Sequence, residues 1–254
     1  MIWKPTNTIK ILTEKEKKMA NFMDFTTANP SINLILIDES GSMEDHKKQI
    51  KTAVREYQKK FWDFPEADSI AVSICFFNDD IEYGEFKSAK KLKDIRYAPR
   101  LGTALNYAIV QCSEYLTNYM EEIQKNKKIS PIASFIVFSD GMPYGDRYSE
   151  EDGNEAIDLL NKLGVNTIFV PFGEAIESGY GEKKGFKIIK KLETGSDAVE
   201  FFSEELSQFS IEQSKFHTAI GSKFFSETVN SKSDDSSDYS NLTAQALDKK
   251  WWDF

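Results

Sequence analysis

Polar side chains suited to binding a hard cation stand at three points of the sequence, each next to a predicted strand or helix. The first point is D-E-S-G-S at 38–42, the second is G-T at 102–103, and the third is S-D-G at 139–141. Together they offer two carboxylates and three hydroxyls, from Asp38, Ser40, Ser42, Thr103 and Asp140. Magnesium and manganese prefer oxygen donors of this kind. The residue types therefore predict a divalent cation site, provided that the fold brings the three points together.

The elements that must position these residues follow from the hydrophobic pattern. Continuous apolar runs predict buried strands at 32–37, 69–77, 133–140 and 165–173. Helical spacing predicts helices at 46–62, 103–123, 152–163, 184–192 and 203–216. Shorter strands are predicted at 81–86, returning antiparallel at the sheet edge, and at 197–202. This alternation indicates a doubly wound α/β fold with a mostly parallel central sheet, helices on both faces and one antiparallel edge strand.

Such a sheet would bring the three points together. Asp38 and Asp140 each end a predicted strand, and the carboxyl ends of parallel strands meet at one edge, where ligands of open α/β sheets bind. Gly41 lets the first loop curl so that both serines face one point, and Gly102 lets the Thr103 loop approach closely. A helix cap explains Ser42 or Thr103 alone, but it does not explain oxygen donors on three separate loops.

These three motifs resemble the metal-ion-dependent adhesion site of the von Willebrand factor A (VWA) domain, a Rossmann-like fold. The resemblance covers roughly residues 30–216. It implies that Ser40, Ser42 and Thr103 bind Mg²⁺ or Mn²⁺ directly, and that Asp38 and Asp140 act mostly through waters and hydrogen bonds. It also implies that a partner protein supplies an Asp or Glu carboxylate to the cation. Movement of either aspartate into direct contact would lower the affinity for that partner.

A finer resemblance is to bacterial VWA proteins of the tellurium-resistance type, which occur with kinase- and phosphatase-like partners. The sequence does not name the partner, and the candidates are a kinase, a phosphatase or an AAA-type ATPase in a stress-response, defence or signalling complex. The loop 141–154 follows Asp140 directly and carries side-chain types that are enriched at interfaces. We predict that Tyr144, Arg147 and Tyr148 in this loop frame the partner surface.

Composition limits the partners and the location of the chain. Its 254 residues carry a formal net charge of −9, which argues against nucleic acid and anionic membrane surfaces as partners. We expect no transmembrane segment and no signal peptide, and hence a cytoplasmic protein. Cys75 and Cys112 lie in apolar segments and are interpreted as core residues in a reducing compartment, although the sequence leaves a disulfide between them open.

Three regions are predicted along the chain: an N-terminal extension at 1–28, the VWA domain at 29–218, and a linker with an aromatic tail at 219–254. The stretch 226–241 is rich in Ser and Asp, as flexible linkers are. The aromatic tail is predicted to anchor in a partner's groove or to dock on its own domain, through Trp251, Trp252 and Phe254. The native start is either Met1 or Met19.

Motifs of several enzyme classes are missing. The sequence contains no P-loop, no G-x-S-x-G elbow and no EF-hand spacing. The two histidines, His46 and His217, are interpreted as a solvent-facing helix residue and a structural residue, so a serine nucleophile has no paired base. We therefore predict a non-catalytic adaptor. The alternatives are a metal-dependent hydrolase of the phosphatase type and a VWA fold with a purely structural metal.

Overall fold

A seven-stranded mixed sheet forms the centre of the molecule. The computed structural model describes residues 30–127, 131–141, 143–173 and 175–215. The predicted extension at 1–28 and the tail at 219–254 lie outside these residues, as does His217. The strands lie in the order β3-β2-β1-β5-β6-β7, and β4 also pairs with β2. Their bounds are β1 Ser31–Asp38, β2 Ile70–Phe77, β3 Ile81–Glu82, β4 Lys87–Ser88, β5 Ile132–Ser139, β6 Asn166–Pro171 and β7 Ile188–Ile189.

The strand directions confirm the predicted fold class. The pairs β1–β2, β1–β5, β5–β6 and β6–β7 are parallel. The antiparallel edge consists of two short strands, β3 and β4, because the predicted strand at 81–86 breaks near Gly84. There the backbone runs so close to β2 that a Cβ on Gly84 would lie 2.2 Å from the carbonyl oxygen of Ile74, so glycine is required.

Helices cover both faces of the sheet. Their bounds are α1 Lys47–Lys59, α2 Leu105–Lys127, α3 Glu150–Lys162, α4 Ala175–Ser178, α5 Tyr180–Lys184 and α6 Gly195–Glu200, and a 3₁₀ helix at Gly41–His46 precedes α1. Ile35 and Ile37 of β1 pack with α1 and α6 on one face. Leu34 and Leu36 pack with α2 and α3 on the other, as the alternation of a strand dictates. Within the described residues, no helix has the length and apolarity to cross a membrane.

Two predicted elements near the C-terminal end of the domain are wrong. The stretch predicted as a helix at 184–192 contains the end of α5 and the strand β7, because Gly185 takes a left-handed conformation (φ +77°) that ends the helix. The stretch predicted as a strand at 197–202 is helical. A capping box between Thr194 and Asp197 starts α6, which continues through a π-helix at Phe201–Leu206 into the closing helix at 207–215.

The position of β1 and β5 explains where a ligand would bind. From β1 the chain first moves outward to β2 on one side, and it later returns to place β5 on the other side. Between the carboxyl ends of β1 and β5 the connections diverge, and this divergence leaves a crevice in sheets of this type. Asp38 ends β1, and Asp140 directly follows β5. The two predicted carboxylates therefore flank the topological switch point.

Candidate metal site

The end of β1 holds its carboxylate in a buried position. Asp38 has no exposed surface, and its Oδ1 accepts a hydrogen bond from the backbone N–H of Ser40 at 2.8 Å. Its Oδ2 accepts a hydrogen bond from Ser139 Oγ at 2.5 Å. Tyr97 donates its hydroxyl to the Asp38 carbonyl oxygen at 2.5 Å. The Asp38 carboxylate is therefore fixed by groups from its own loop and from the neighbouring strand.

The two serines face each other and reach the second carboxylate. Ser40 Oγ and Ser42 Oγ lie 3.0 Å apart, and Ser42 Oγ donates to Asp140 Oδ1 at 2.9 Å. The loop is held in this curl by the N–H of Gly41, which donates to the carbonyl oxygen of Leu101 at 3.1 Å. Four of the five predicted ligands are thus brought together by short hydrogen bonds.

Thr103 reaches the same place from a third loop. Its side chain is buried, and a Cβ on Gly141 would lie 3.9 Å from Thr103 Oγ1. The carbonyl oxygen of Thr103 accepts a hydrogen bond from the N–H of Tyr144 at 2.9 Å, which ties this loop to the one after Asp140. All five predicted side chains therefore converge at one edge of the sheet, and their role as metal ligands remains a prediction.

The electrostatics of the site favour a bound cation. Burial raises the pKa of Asp38 to about 6, although hydrogen bonds from Ser139 and Ser40 oppose this shift and the charge of Asp140 adds to it. A cation between the two carboxylates would relieve the penalty of holding them together. Within the described residues no three His, Cys, Asp or Glu side chains cluster as a metal site. The donors that converge here are two carboxylates and three hydroxyls, and oxygen donors of this kind suit a hard cation.

The residues predicted to frame the partner surface differ in their availability. Tyr144 is 79% exposed. Arg147 donates to the carbonyl oxygen of Asp79 and to the Asp80 carboxylate, and its guanidinium lies 4.3 Å from the centre of the Tyr107 ring. Tyr148 also stacks on that ring, with a centroid distance of 5.7 Å. Tyr148 is therefore engaged within the domain, Arg147 is paired but keeps half of its side chain exposed, and Tyr144 is open to a partner. Trp251, Trp252 and Phe254 lie outside the described residues.

His46 does not take the solvent-facing position that the sequence predicts. Its side chain is only partly exposed, and its ring packs edge-on against Phe172, with the centroids 4.3 Å apart. Among the hydrogen bonds of the described residues, none joins His46 to Ser40 or Ser42. Cys75 and Cys112 are both buried and both free, as interpreted from their apolar surroundings.

Two residues that position the candidate site were not predicted from the sequence. Ser139 donates its hydroxyl to the Asp38 carboxylate. The parallel pairing of Ile37 with Phe138 places Asp38 and Ser139 side by side at the ends of β1 and β5. Asp146 accepts hydrogen bonds from the backbone N–H groups of Asn106 and Tyr107. The register of the two strands was the available signal for Ser139. No local pattern marked Asp146, because its partners are about forty residues away.

Replacing Ser139 by alanine is expected to weaken Mg²⁺ binding about tenfold, the scale seen when groups that orient a metal ligand are lost. The Asp38 carboxylate would lose the hydroxyl that fixes its Oδ2. Isothermal titration calorimetry with Mg²⁺ measures the change. Ser134→Ala is the matched control, because Ser134 is equally buried on β5 but accepts its hydrogen bond from Gln213. Equal affinities of the two variants would contradict a role of Ser139 at the site.

Comparisons with known proteins identify the fold. No protein-family model and no curated protein sequence matches the chain. Among solved structures, the chain is similar to the pilus adhesin SpaC of Lactobacillus rhamnosus GG in an open conformation, with a TM-score of 0.58 and 12% identity. It is also similar to manganese-loaded TRAP of Plasmodium vivax, with a TM-score of 0.51 and 16% identity. A third is proximal thread matrix protein 1 of the mussel byssus, whose adhesion-site motif is occupied by zinc, with a TM-score of 0.52 and 13% identity.

These similarities extend over most of the described domain, but over less than half of SpaC and of the mussel protein. The matches cover 72%, 69% and 73% of this chain. The chain spans 30% of SpaC and 48% of the mussel protein, against 74% of TRAP. At such low identities the likeness is one of fold alone. With the strand order and the single switch point, it shows a VWA-type, Rossmann-like α/β fold.

Proposed function

We propose that the chain is a non-catalytic adaptor that binds another protein through a divalent cation, Mg²⁺ or Mn²⁺. The cation would be held by Asp38, Ser40, Ser42, Thr103 and Asp140. The observation that carries the proposal is the convergence of these oxygen donors from three loops at the switch point of the sheet. When bound, the cation supplies a positive centre that attracts a carboxylate oxygen of the partner.

The burial of the donors leaves one of the five open to solvent. Asp38, Ser40, Thr103 and Asp140 are buried, whereas Ser42 is exposed. A partner side chain would therefore enter from the side of Ser42. Three of the five donors are neutral hydroxyls, so the chain contributes only two negative charges at most. Where both aspartates act through waters, as the resemblance implies, the directly bound donors are neutral hydroxyls, and the cation keeps the charge that attracts a carboxylate from outside.

The wider setting is part of the proposal. Known structures of this fold support the use of a metal, since TRAP is described as manganese-loaded and the mussel protein as zinc-occupied. The proposed setting is cytoplasmic, in a bacterial stress-response, defence or kinase–phosphatase complex, as the resemblance to VWA proteins of the tellurium-resistance type implies. Kinases, phosphatases and AAA-type ATPases are the candidate partners. The net charge of −9 supports a protein partner over nucleic acid or an anionic membrane.

Capture of partners from the source cell, with the full chain immobilised in Mg²⁺ or in chelator, tests this function. Thr103→Val removes one hydroxyl at nearly constant volume and is expected to reduce capture about tenfold or more, as chelator does. Thr117→Val is the matched control, because the Thr117 hydroxyl bonds within α2 to the Ser113 carbonyl oxygen. Capture in Mg²⁺ that neither chelator nor Thr103→Val reduces would contradict the proposal.

The two alternatives give different results in parallel measurements. A metal-dependent hydrolase would turn over phosphoester substrates in Mg²⁺, and we expect no turnover. A purely structural metal would raise the melting temperature without changing partner capture. Either of these results in the wild-type chain would replace the adaptor function.

A further inference from the structure

Two exposed apolar side chains flank the candidate metal site. The described residues contain five exposed large hydrophobic side chains, and Tyr144 (79%) and Leu101 (64%) are the most exposed of them. Both lie next to Thr103 along the backbone. Leu101 lies two residues before Thr103, and Tyr144, in the loop after Asp140, forms an isolated β-bridge with Thr103. The apolar groups most open to solvent are thus concentrated beside the proposed ligands.

Leu101 is also held in an unfavourable backbone conformation. Among the described residues it is the only non-glycine residue with a positive φ, at +66°. A leucine in this left-handed region is strained, whereas glycine or asparagine adopts it more easily. Its carbonyl oxygen accepts the Gly41 N–H, which curls the loop of the two serines. The backbone of Leu101 thus holds the loop of the candidate ligands in place. A leucine side chain, however, favours neither this left-handed conformation nor exposure to solvent.

Leu101 and Tyr144 give the rim an apolar part where a partner segment would continue past the metal, whereas the exposed Arg100, directly before Leu101, lines a depression with Glu39, Asp80 and Glu82. Arg147 is the basic residue closest in sequence to Tyr144, and its guanidinium pairs with the Asp80 carboxylate and lies over the Tyr107 ring. The positive charge that complements a partner carboxylate would come from the bound cation. The groups next to that carboxylate would meet Leu101 and Tyr144, which complement apolar side chains.

We propose that Leu101 and Tyr144, the apolar rim, select a partner segment in which the metal-binding Asp or Glu has a large apolar side chain beside it. This proposal rests on the proposed function of the metal site, which by itself requires only a carboxylate. The rim adds the second recognition element. It explains why a strained, exposed leucine stands where asparagine would fit the backbone better.

Binding of the full chain to an array of immobilised short peptides tests the rim. Each peptide has a central Glu, and its two neighbours are Leu, Phe, Trp, Ser or Lys. We expect Mg²⁺-dependent binding that is about tenfold stronger with large apolar neighbours than with Ser, the scale for burying one such side chain. Leu101→Asn and Tyr144→Ser should each reduce this preference severalfold, and the double variant should remove it while glutamate binding persists.

The variants are chosen so that misfolding does not imitate the effect. Asparagine tolerates the backbone conformation at 101, so the melting temperature should stay equal or rise. Leu163→Asn is the matched control, because Leu163 is exposed at the end of α3, where the chain leads into the amino end of β6 at the opposite edge of the sheet. It should keep the full apolar preference.

Each of the following outcomes would contradict the proposed role of the apolar rim. Mg²⁺-dependent glutamate binding with no apolar preference would leave the proposed function standing and contradict the rim. No Mg²⁺-dependent glutamate binding in the wild type would contradict both. Mg²⁺-dependent dimerisation lost in Leu101→Asn would assign the surface to a second copy of the chain. Binding that appears only in Asp253→Asn would assign it to the chain's own segment Trp252–Phe254.

Discussion

Replacing Asp38 by asparagine is expected to abolish Mg²⁺ binding and at the same time to stabilise the cation-free fold. Asp38 is fully buried, and burial raises the pKa of its carboxyl from 3.8 to about 6. The protonated carboxyl therefore favours the folded chain, and this contribution is fully present below pH 3.8 and lost as the pH rises through 6. Above that pH the buried charge lowers the free energy of unfolding by roughly 3 kcal/mol.

Asparagine fits the same position without the charge. Its Oδ1 would keep the hydrogen bond from the Ser40 N–H, and its Nδ2 would donate to Ser139 Oγ. The Ser139 hydroxyl would then donate to the Gly141 carbonyl oxygen, which already lies 3.4 Å away. The variant should be more stable than the wild type in chelator at neutral pH, and the difference should vanish at strongly acidic pH.

Urea unfolding in chelator across this pH range measures the change in stability, and calorimetric titration with Mg²⁺ measures the loss of binding. Asp68→Asn is the matched control. Asp68 is a partly buried carboxylate that accepts the Ser88 hydroxyl near the start of β2, at the amino edge of the sheet. Its variant should bind Mg²⁺ as the wild type does. Retained Mg²⁺ binding in Asp38→Asn would remove Asp38 from the site, and a loss of stability at neutral pH would contradict the electrostatic argument.

Replacing Asp146 by alanine is expected to weaken both the fold and the metal site. The Asp146 carboxylate accepts the N–H groups of Asn106 at 2.5 Å and Tyr107 at 3.0 Å, which belong to the first turn of α2. It also accepts the N–H of Tyr148 at 3.1 Å. Donors in the first turn of a helix have no partner within the helix, and a carboxylate there also complements the helix dipole. Alanine would leave these groups unpaired and cost about 2 kcal/mol of stability.

The same carboxylate joins two loops of the site. It links the segment after Asp140 to the start of α2, two residues past Thr103. Without it, the distance between the Thr103 and Asp140 side chains is no longer fixed, and Mg²⁺ affinity should fall about tenfold. Thermal unfolding and Mg²⁺ titration measure the two effects, and Asp146→Asn should be milder in both because it keeps one acceptor oxygen.

A second capping residue separates these effects. Asp197 accepts the N–H groups of Glu193 and Thr194 at the start of α6, with no link to the candidate ligands among its hydrogen bonds. Asp197→Ala should lower stability and leave Mg²⁺ affinity unchanged. If Asp146→Ala also lowered stability without changing Mg²⁺ affinity, Asp146 would cap α2 but would not position the candidate metal site.

The candidate ligands could be predicted from sequence because each stands at a point that local patterns mark. Asp38 and Asp140 end apolar runs, and Thr103 precedes a long amphipathic helix. The alternation of strands and helices then places the three loops at one edge. Asp146 was missed because hydrogen bonds to backbone groups about forty residues away leave no local pattern, and Ser139 was missed because its contact with Asp38 depends on the register of β1 against β5. The left-handed Leu101 was missed for a related reason, since nothing in its residue type indicates a positive φ.

The errors at the end of the domain have a different physical origin. At 184–192, the helical spacing of the apolar residues predicted a helix. The left-handed backbone of Gly185 ends the helix instead, and Ile188 and Ile189 pair with β6 as a strand. At 197–202 the apolar residues were interpreted as a strand. The capping box at Thr194 started a helix there, and packing against α1 and the sheet stabilised it. Short segments of this kind are decided by tertiary contacts rather than by their own composition.

The hydrogen bond between Ser42 and Asp140 joins residues 98 positions apart in the chain. During synthesis on the ribosome, the segment up to Lys127 emerges with only part of the ligand set. The site is completed only after β5 has left the exit tunnel and paired with β1. On the proposed function, a nascent chain that stalls before that point would lack part of the ligand set and would present no competent surface to a partner. A bound cation would then report that the centre of the sheet has been assembled.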